Sequence, residues 1–422
     1  MELPRGIAPL GYRNFALYWI GVLTSNTGRW LELTGVVWLG SELTDSPALL
    51  GLIGIFRGVP AILFGPISGV FADRLDQRRV LFVTQLVAMT ASLLLGIGAA
   101  LGVVQLWELY LQVAIQATVE SFDASTRQAM FPRFVPRSAR PEAVTLVALA
   151  GRVSKFIGPT IAGVAIATIG VAAPFFLNAG TFLALLAAVF LIRGIAPRTA
   201  EAGSSIGGEL LAGLRYVMAE PVVGGLLRME AVFSLAQMNP VMIVIIGRQV
   251  LGLGPEGLGG LISATGLGAI AGLVYLLVAG HLRRQGRFIV ACTFAYVAGL
   301  LLFAYSHDYV LSFIALAITG LFDVLLTVTR NSVIQLTTPG RMRGRVIGTV
   351  RMVTGGFGQL SQVQSGLLTG AIGAPLAIVV AAGALALSAG SSAWAIPALW
   401  AFSREDQAPR AIPSDTPTPG VT

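Results

Sequence analysis

Ionisable side chains interrupt the long apolar stretches of this sequence, and their types limit the chemistry that they could perform. Glu32 and Glu120 are carboxylates that could take up and release a proton, and Lys155, the only lysine of the chain, could hold an anion. A charge inside hydrocarbon needs a partner, water or a change of protonation state, because desolvation penalises the ionised form. These positions are therefore candidates for proton transfer or anion binding.

Other kinds of chemistry lack the residues that they need. Cys292 is the single cysteine, which excludes an internal disulfide, and no group of histidines and cysteines has metal-ligand spacing. Both histidines are isolated, and we interpret them as ordinary loop residues. We also find no nucleophile with a base at reactive spacing. The sequence therefore predicts no enzymatic activity, no cofactor and no metal site.

The elements that must position the ionisable residues are apolar segments of membrane-spanning length. Apolar residues make up 55% of the chain and charged residues 11%, and the mean hydropathy is +0.80. Soluble domains do not have this composition. Segments of about 20 residues fit helices across ~30 Å of hydrocarbon, whereas barrel strands would alternate over about ten. We predict an all-α membrane protein with twelve spans, at 15–38, 48–70, 79–102, 105–126, 143–169, 171–192, 221–247, 256–280, 287–305, 309–329, 344–372 and 374–402.

The net charge of +8 reflects the predicted membrane topology. Nearly all cations outside the spans fall in segments on the N-terminal side of the membrane, and Arg248 alone lies on the opposite side. Cytoplasmic loops carry the excess of arginine and lysine in membrane proteins. We therefore predict cytoplasmic N and C termini, contact with the lipid bilayer and no nucleic-acid partner.

An internal repeat divides the chain into two halves. A shift of 203 residues superposes Arg127 on Arg330, Pro136 on Pro339, Arg140 on Arg343, Gly163 on Gly366 and Gly170 on Gly373. A duplicated six-helix unit in one orientation gives two parallel halves, and transporters of this plan place their substrate between them near the bilayer midplane. We predict halves at 1–194 and 221–402, a cytoplasmic linker at 195–220 and a disordered tail at 403–422.

The stretch "GVFADRLDQRR", from Gly69 to Arg79, ends span 2 and forms a short cytoplasmic turn. A carboxylate here could bridge neighbouring helix ends as a cytoplasmic gate, although the cations could also serve only as membrane anchors. Asp123 and Arg127, four residues apart near the cytoplasmic end of span 4, could also belong to this gate. The candidate gate residues are Gly69, Asp73, Arg74, Arg78, Arg79, Asp123 and Arg127.

This turn resembles the cytoplasmic signature of the major facilitator superfamily. The stretches "TGRWLELTGVVWL", "LTDSPALLG", "FDASTRQAMFPRFVP" and "RGRVIG" resemble the branch that holds bacterial enterobactin exporters and macrolide-type efflux pumps. The resemblance covers nearly the whole chain. It implies a bacterial inner-membrane protein whose halves rock about a central cavity, export commonly driven by proton influx, and an inner gate at Asp73, Arg74 and Arg78. The counterpart "GHLRRQGR" in the second half lacks the aspartate.

A glycine and proline pattern in span 5 bears on the direction of transport. Gly158 and Pro159, with Gly151 and Gly163, resemble the helix-5 antiporter motif of the superfamily. Proline removes a backbone donor and glycine permits close packing. The motif favours export, although a Gly-Pro kink also occurs in other membrane helices. The resembling family commonly has arginine where this chain has Lys155.

The charges inside the first half allow a structural and a functional interpretation. Glu32 lies one turn from Arg29, with Arg57 at a similar depth, and Glu120 lies about 10 Å inside the end of span 4. Each carboxylate could belong to a static ion pair, or to a pair that opens when the carboxylate takes up a proton. Glu32 and Glu120 are therefore the candidates for proton coupling.

Lys155 also has two interpretations. Lys155 and Arg152 could balance Glu120 across spans 4 and 5, or Lys155 and Arg29 could face the cavity and bind an anionic substrate. The predicted excess of cations inside the first half favours a cationic cavity. Gln359 and Gln362 share a face of span 11 and could line the cavity or bond to another helix. The candidate cavity residues are Arg29, Arg57, Arg152, Lys155, Gln359 and Gln362.

These features predict a secondary transporter that exports a siderophore-like or drug-like small molecule by proton antiport. The alternatives are drug or macrolide efflux, with drug resistance and no siderophore role, lipid transport, and a membrane sensor that does not transport. The expected partners are the small-molecule substrate, protons and lipid, and we expect a monomer.

Overall fold

The computed structural model describes residues 5–192, 214–279 and 284–395, and this part of the chain contains helices but no strand. The predicted all-α class is confirmed. The predicted tail, and the predicted linker up to residue 213, lie outside the described residues. The helices are α1 Arg13–Leu43, α2 Pro47–Gly51, α3 Ile53–Arg74, α4 Gln77–Leu101, α5 Leu106–Met130, α6 Arg140–Thr168, α7 Ala173–Leu191, α8 Pro221–Ala236, α9 Pro240–Gln249, α10 Pro255–Ala279, α11 Gln285–Ala304, α12 Tyr309–Thr337, α13 Gly340–Ile372 and α14 Ala374–Ala395.

The predicted spans coincide with these helices. Among the described residues, eight stretches are long and apolar enough to cross a membrane, and Ala173–Ala188 is a shorter apolar helix. The remaining predicted spans, 1, 4 and 11, correspond to α1, α5 and α13, which carry more polar residues. The number twelve and the cytoplasmic position of the termini remain predictions.

Residues at the helix ends explain why the chain turns where it does. Asp76 caps α4 by accepting a hydrogen bond from the Arg78 amide at 2.9 Å, and Asp308 caps α12 by accepting from the Leu311 amide at 2.9 Å. Gly170 follows α6 with a φ of 117°, and Gly373 follows α13 with a φ of 83°. These glycines are 203 residues apart, so both copies of the repeat have a turn whose positive φ disfavours residues other than glycine.

The halves, α1–α7 and α8–α14, pack mainly within themselves. In the first half α1 packs against α6 and α7, and α3 packs against α5. In the second half α12 packs against α10 and α11. The halves join where α6 meets α10 and where α13 meets α2 and α3.

Glycines permit both of these joints. A Cβ atom at Gly163 would lie 2.6 Å from the Pro255 carbonyl oxygen, and one at Gly366 would lie 2.4 Å from the Pro47 carbonyl oxygen. Gly163 and Gly366 are equivalent in the repeat. The backbones therefore approach closely at two related positions, as small residues allow in membrane proteins.

Toward the opposite end of the molecule, Gly65 of α3 and Gly151 of α6 have no heavy atom within 4 Å of a built Cβ position. The halves are in contact there through Arg351 of α13, which donates a hydrogen bond to Gln128 Oε1 of α5 at 3.0 Å. In the predicted topology this end faces the cytoplasm, and the close joints at Gly163 and Gly366 lie at the external end. We therefore interpret the external end as closed.

Candidate substrate cavity and ion-pair network

A cavity of about 320 Å³ lies between the halves. The first half contributes its charged residues, whereas the second half contributes amides, hydroxyls and apolar groups. The lining residues are Arg29, Trp30, Leu33, Arg57, Glu120 and Lys155 from the first half, and Gln237, Met238, Asn239, Pro240, Ile243, Ile262, Thr265, Gly358, Gln359, Ser361 and Gln362 from the second. The structure thus brings together five of the six candidate cavity residues, all except Arg152.

Glu120 joins the two arginines of the cavity. Its carboxylate lies 3.4 Å from Arg29 Nη1 and 3.1 Å from Arg57 Nη2. Arg29 also donates a hydrogen bond to Asn26 Oδ1. The packing of α3 against α5 places Arg57 beside Glu120, which sequence spacing alone could not indicate.

Glu32 has a different environment from the expected one. Its side chain is 4% exposed and accepts hydrogen bonds from the side-chain amides of Gln112, Gln116 and Asn178. Within the described part of the chain it forms no ion pair. The expected pairing of Glu32 with an arginine is therefore wrong, because α5 and α7 surround it with amides and Glu120 takes the arginines.

Lys155 has no hydrogen bond or ion pair with any described residue, and its ammonium lies 5.7 Å from the Trp30 ring centroid. Arg152 instead pairs across the halves with Asp323 of α12, at 3.8 Å. The interpretation in which Lys155 and Arg152 balance Glu120 is therefore wrong. The structure agrees with the alternative in which Lys155 and Arg29 line the cavity, and anion binding remains a prediction.

The candidate cytoplasmic gate is only partly described. Asp123 and Arg127 form an ion pair within α5, Gln85 donates to Asp123 at 2.8 Å, and Arg127 donates to the Ser25 hydroxyl at 3.1 Å. These contacts connect α5 to α4 and α1.

The remaining gate residues lie at the α3–α4 turn. Arg78 donates to the Ile192 carbonyl, and Arg79 is exposed. The side chains of Asp73 and Arg74 and the surroundings of Gly69 are not described, so the gate role of these three residues remains a prediction.

The helix-5 motif serves two contacts. A Cβ at Gly158 would lie 2.5 Å from Trp30 Cβ, so this glycine lets α6 pack closely on α1 beside the cavity. Gly163 faces α10, whereas Gly151 faces open space. Pro159 lies inside the continuous helix α6, and its carbonyl oxygen is 2.4 Å from a Cβ built at Gly259. The motif therefore positions Trp30 and closes one joint between the halves.

Gln359 and Gln362 line the cavity, which is the first of their two predicted arrangements, and the hydrogen bond between them lies within α13. Gln362 donates to Gln359 Oε1 at 2.9 Å, and both side chains line the cavity. A Cβ at Gly54 would lie 2.4 Å from the Gln359 carbonyl oxygen, so α13 packs closely on α3 at this level. The Gln362 Oε1 atom has no partner among the described atoms.

Span 7 contains a break that its apolar composition does not indicate. The chain leaves the helix at Gln237 and starts α9 at Pro240, with Asn239 as an N-cap that accepts from the Met242 amide at 3.1 Å. Met238 donates its amide hydrogen to the Tyr296 hydroxyl at 2.9 Å. The span predicted at 221–247 is therefore present, but two helices separated at residues 237–239 form it. The Asn-Pro pair at 239 and 240 is an N-cap and first-turn signal that could have revealed the break.

Arg248 was also missed as a contact between the halves. It extends from the end of α9, donates to the Ser41 carbonyl and to the Ser41 hydroxyl, and lies 5.1 Å from the Trp38 ring centroid of α1. In the predicted topology these residues are at the external end. Arg248 therefore strengthens the closed external side.

Replacement of Arg248 by alanine is expected to favour external opening. A hydrogen bond to a charged group contributes roughly 1.5–3 kcal/mol, so the ratio of outward- to inward-facing molecules should rise by about 10-fold or more. Electron spin resonance distances between labels on the two halves would measure this ratio. Arg137→Ala, which removes an exposed arginine from another loop, is the control. An unchanged ratio in Arg248→Ala would show that these contacts do not stabilise the closed side.

The fold and the cavity define a class of protein. Two helical halves that meet at one end and enclose a polar cavity form the architecture of an alternating-access membrane transporter. The nucleoside transporter NupG has this fold, with a TM-score of 0.71 and 13% identity over 92% of this chain and 100% of its own. A bacterial homolog of the human lysosomal transporter Spinster, in an inward-facing and occupied conformation, has a TM-score of 0.70 and 14% identity over 93% and 97% of the two chains.

The sequence belongs to the transmembrane secretion effector family of the major facilitator superfamily, whose profile matches residues 5–418. It is similar to the MFS-type transporter YfiS of Bacillus subtilis (strain 168), with 26% identity over 389 residues that cover 84% of this chain and 87% of the relative. The enterobactin exporter EntS of Shigella boydii serotype 4 (strain Sb227) is 27% identical over 316 residues, 74% and 75% of the two chains. The protein is a multi-pass protein of the bacterial inner membrane.

Proposed function

We propose that this protein exports a small organic anion from the cytoplasm and that proton influx drives the export. The observation that carries the proposal is the ammonium group of Lys155, which lines the central cavity without a hydrogen bond or ion pair to a described residue. Asp323, the partner of Arg152, acts on this ammonium only electrostatically. A lysine at this depth needs a counter-charge, and a substrate anion can supply it. An ammonium can donate to oxygens from several directions.

The charges around Lys155 support an anionic substrate. Arg29 and Arg57 share the single carboxylate of Glu120. With Lys155, the cavity has three cations and one carboxylate, a net charge of +2 when all four are ionised. Electrostatic attraction is stronger in a site with few water molecules than in bulk water. The cavity therefore favours anions over cationic drugs.

The second half supports a substrate with several hydrogen-bonding groups. Gln237, Gln359 and Gln362 contribute amides to the cavity lining. Asn239 and Ser361 also border the cavity, but their side chains bond within the second half. The volume of about 320 Å³ is within the usual range of ligand pockets. The similarity to an enterobactin exporter supports a siderophore-like molecule. Efflux of macrolides or other drugs is the alternative that transport experiments must exclude.

Glu32 is our proposed proton carrier. Its carboxylate is buried without a cationic partner among the described residues, and it lines a small pocket of about 30 Å³ together with Arg57 and Glu120. This space can hold a water molecule. Protonation of Glu32 would remove one negative charge from this pocket and leave Glu120 as its one ionised carboxylate, facing Arg29 and Arg57.

Energy-dependent efflux from pump-deficient bacteria tests the proposal. Cells that express this chain would be loaded separately with enterobactin, a macrolide and a cationic dye. We expect efflux of enterobactin that stops when a protonophore collapses the proton gradient. Export of the dye or the macrolide alone would contradict anion export, and efflux that persists without the gradient would contradict proton antiport.

Glu32→Gln is expected to uncouple transport from protons. Glutamine retains the size of the side chain but cannot ionise. Uptake of enterobactin into inside-out vesicles under a pH gradient should be lost, whereas exchange of labelled for unlabelled enterobactin should remain. Glu42→Gln, an exposed position at the end of the same helix, is the matched control. Full gradient-driven uptake in Glu32→Gln would exclude Glu32 as the proton carrier.

A further inference from the structure

A second buried ion pair lies in the second half, away from the central cavity. Glu230 of α8 pairs with Arg330 of α12, and their side chains are 6% and 3% exposed. The Ser234 and Thr354 hydroxyls donate to Glu230 Oε1 at 3.1 and 3.3 Å. The guanidinium of Arg330 lies 5.4 Å from the Phe233 ring centroid. The pair thus connects α8, α12 and α13.

Glu230 is accessible from a separate cavity of about 420 Å³ between α12 and α13. The cavity is lined by Glu230, Thr327, Asn331, Ile334, Gln335, Ile347, Val350, Arg351, Thr354 and Gly355. Gln335 and Arg351 are exposed, so water can enter. Glu230 precedes Gln237 of the central cavity by seven residues, or ~10 Å along α8. In the predicted topology this displacement is toward the cytoplasm.

The repeat provides a comparison within the same chain. Arg330 is equivalent to Arg127, which pairs with Asp123 in the first half. Asp123 is 7% exposed and does not line the 420 Å³ cavity. Both halves therefore retain a buried arginine with a carboxylate, but in the second half that carboxylate borders a polar cavity wide enough for water.

The charged groups around Glu230 come from the helices packed against α8. On α12 these are Arg330 and Asp323, and α13 contributes Arg351, which lines the same cavity, and Arg345. Helix α14 has no ionisable side chain between Ala374 and Ala395. On α8 itself Arg228 is exposed. Glu230 is thus the one carboxylate among the residues that line this cavity.

We infer that Glu230 exchanges protons with the cytoplasm through this cavity. The inference rests on the proposed proton antiport and adds a release site in the second half. When α8 and α12 move apart within the second half and Arg330 separates from Glu230, the carboxylate binds a proton. When Arg330 returns, the O–H bond breaks, the electron pair stays on the carboxylate, and the proton passes to water in the cavity.

Distance measurements on the purified full chain test this inference without a substrate. Spin labels at Ala124→Cys of α5 and Met352→Cys of α13, both exposed, would report the separation of the halves after Cys292→Ala removes the native cysteine. Acidification from about pH 8 to about pH 5 favours the protonated form of a proton-exchanging group. We expect the distance distribution to shift with pH in wild type and to lose most of that shift in Glu230→Gln.

Two further variants make the result decisive. Glu42→Gln removes an exposed carboxylate that belongs to neither buried ion pair and should retain the pH response. Glu230→Gln combined with Arg330→Gln removes both charges, avoids an unpaired buried arginine and should also lack the response. A pH response like that of wild type in either Glu230 variant, or no response in wild type, would overturn the inference. Failure of the proposed export would instead be recorded by the enterobactin efflux experiment.

Discussion

Lys155→Ala is expected to reduce export of anionic substrates strongly without lowering the stability of the protein. In the structure the ammonium has no described anionic partner, so its removal breaks no ion pair. Loss of a hydrogen bond to a charged group costs roughly 1.5–3 kcal/mol, which corresponds to a fall in kcat/KM of about 10- to 150-fold. Alanine should also relieve the desolvation of an unpaired charge, so Tm should be unchanged or higher.

Two conservative variants separate charge from shape at this position. Lys155→Met keeps most of the apolar stem and should lose export as alanine does. Lys155→Arg keeps the charge and should retain part of the activity. Enterobactin efflux and thermal unfolding of the purified variants are the measurements. A large fall in Tm with unchanged efflux would make Lys155 a structural residue and contradict the proposed substrate site.

Gly163→Ala is expected to shift the protein toward the outward-facing state. The added Cβ would lie 2.6 Å from the Pro255 carbonyl oxygen, closer than such atoms normally approach, so α6 and α10 must separate. Overpacking of this kind costs about 1–3 kcal/mol, which changes the ratio of the two conformations by about 5- to 150-fold. Distances between spin labels on α6 and α10 would measure the change.

The same helix provides the matched control. Gly151 belongs to the same predicted motif, but a Cβ there would meet no heavy atom within 4 Å, so Gly151→Ala should leave the ratio unchanged. The repeat offers a second test, because Gly366→Ala introduces an equivalent clash with the Pro47 carbonyl oxygen and should act in the same direction. If Gly163→Ala and wild type have the same ratio of outward- to inward-facing molecules, the contact between α6 and α10 does not hold the external side closed.

The ion pairs show where sequence reasoning reached its limit. Spacing along α1 suggested a pair between Glu32 and an arginine, because residues three apart are neighbours on a helix. In the structure Arg29 and Arg57 form ion pairs with Glu120, and side-chain amides from α5 and α7 surround Glu32. Helical spacing gives the neighbours within one helix but not the helix that faces them.

The break in span 7 shows a second limit. An apolar stretch of this length predicts a membrane helix. Its mean hydropathy does not show that residues 237–239 lie outside the helix. Asn239 and Pro240 carried a local signal, but only packing against α11 and α13 shows that the break faces the cavity. The role of Arg248 was hidden for a related reason, since its partner Ser41 is 207 residues away.

The sequence by itself determined the all-helical membrane class, the superfamily and the presence of charges within the spans. These properties follow from composition, segment length and local motifs, because burial of apolar helices in lipid depends on each segment alone. Only the tertiary structure decided which charges pair, that Lys155 faces the central cavity and that Glu230 borders a second one. Those contacts join residues far apart in the chain, and they depend on how closely glycine-bearing helices pack.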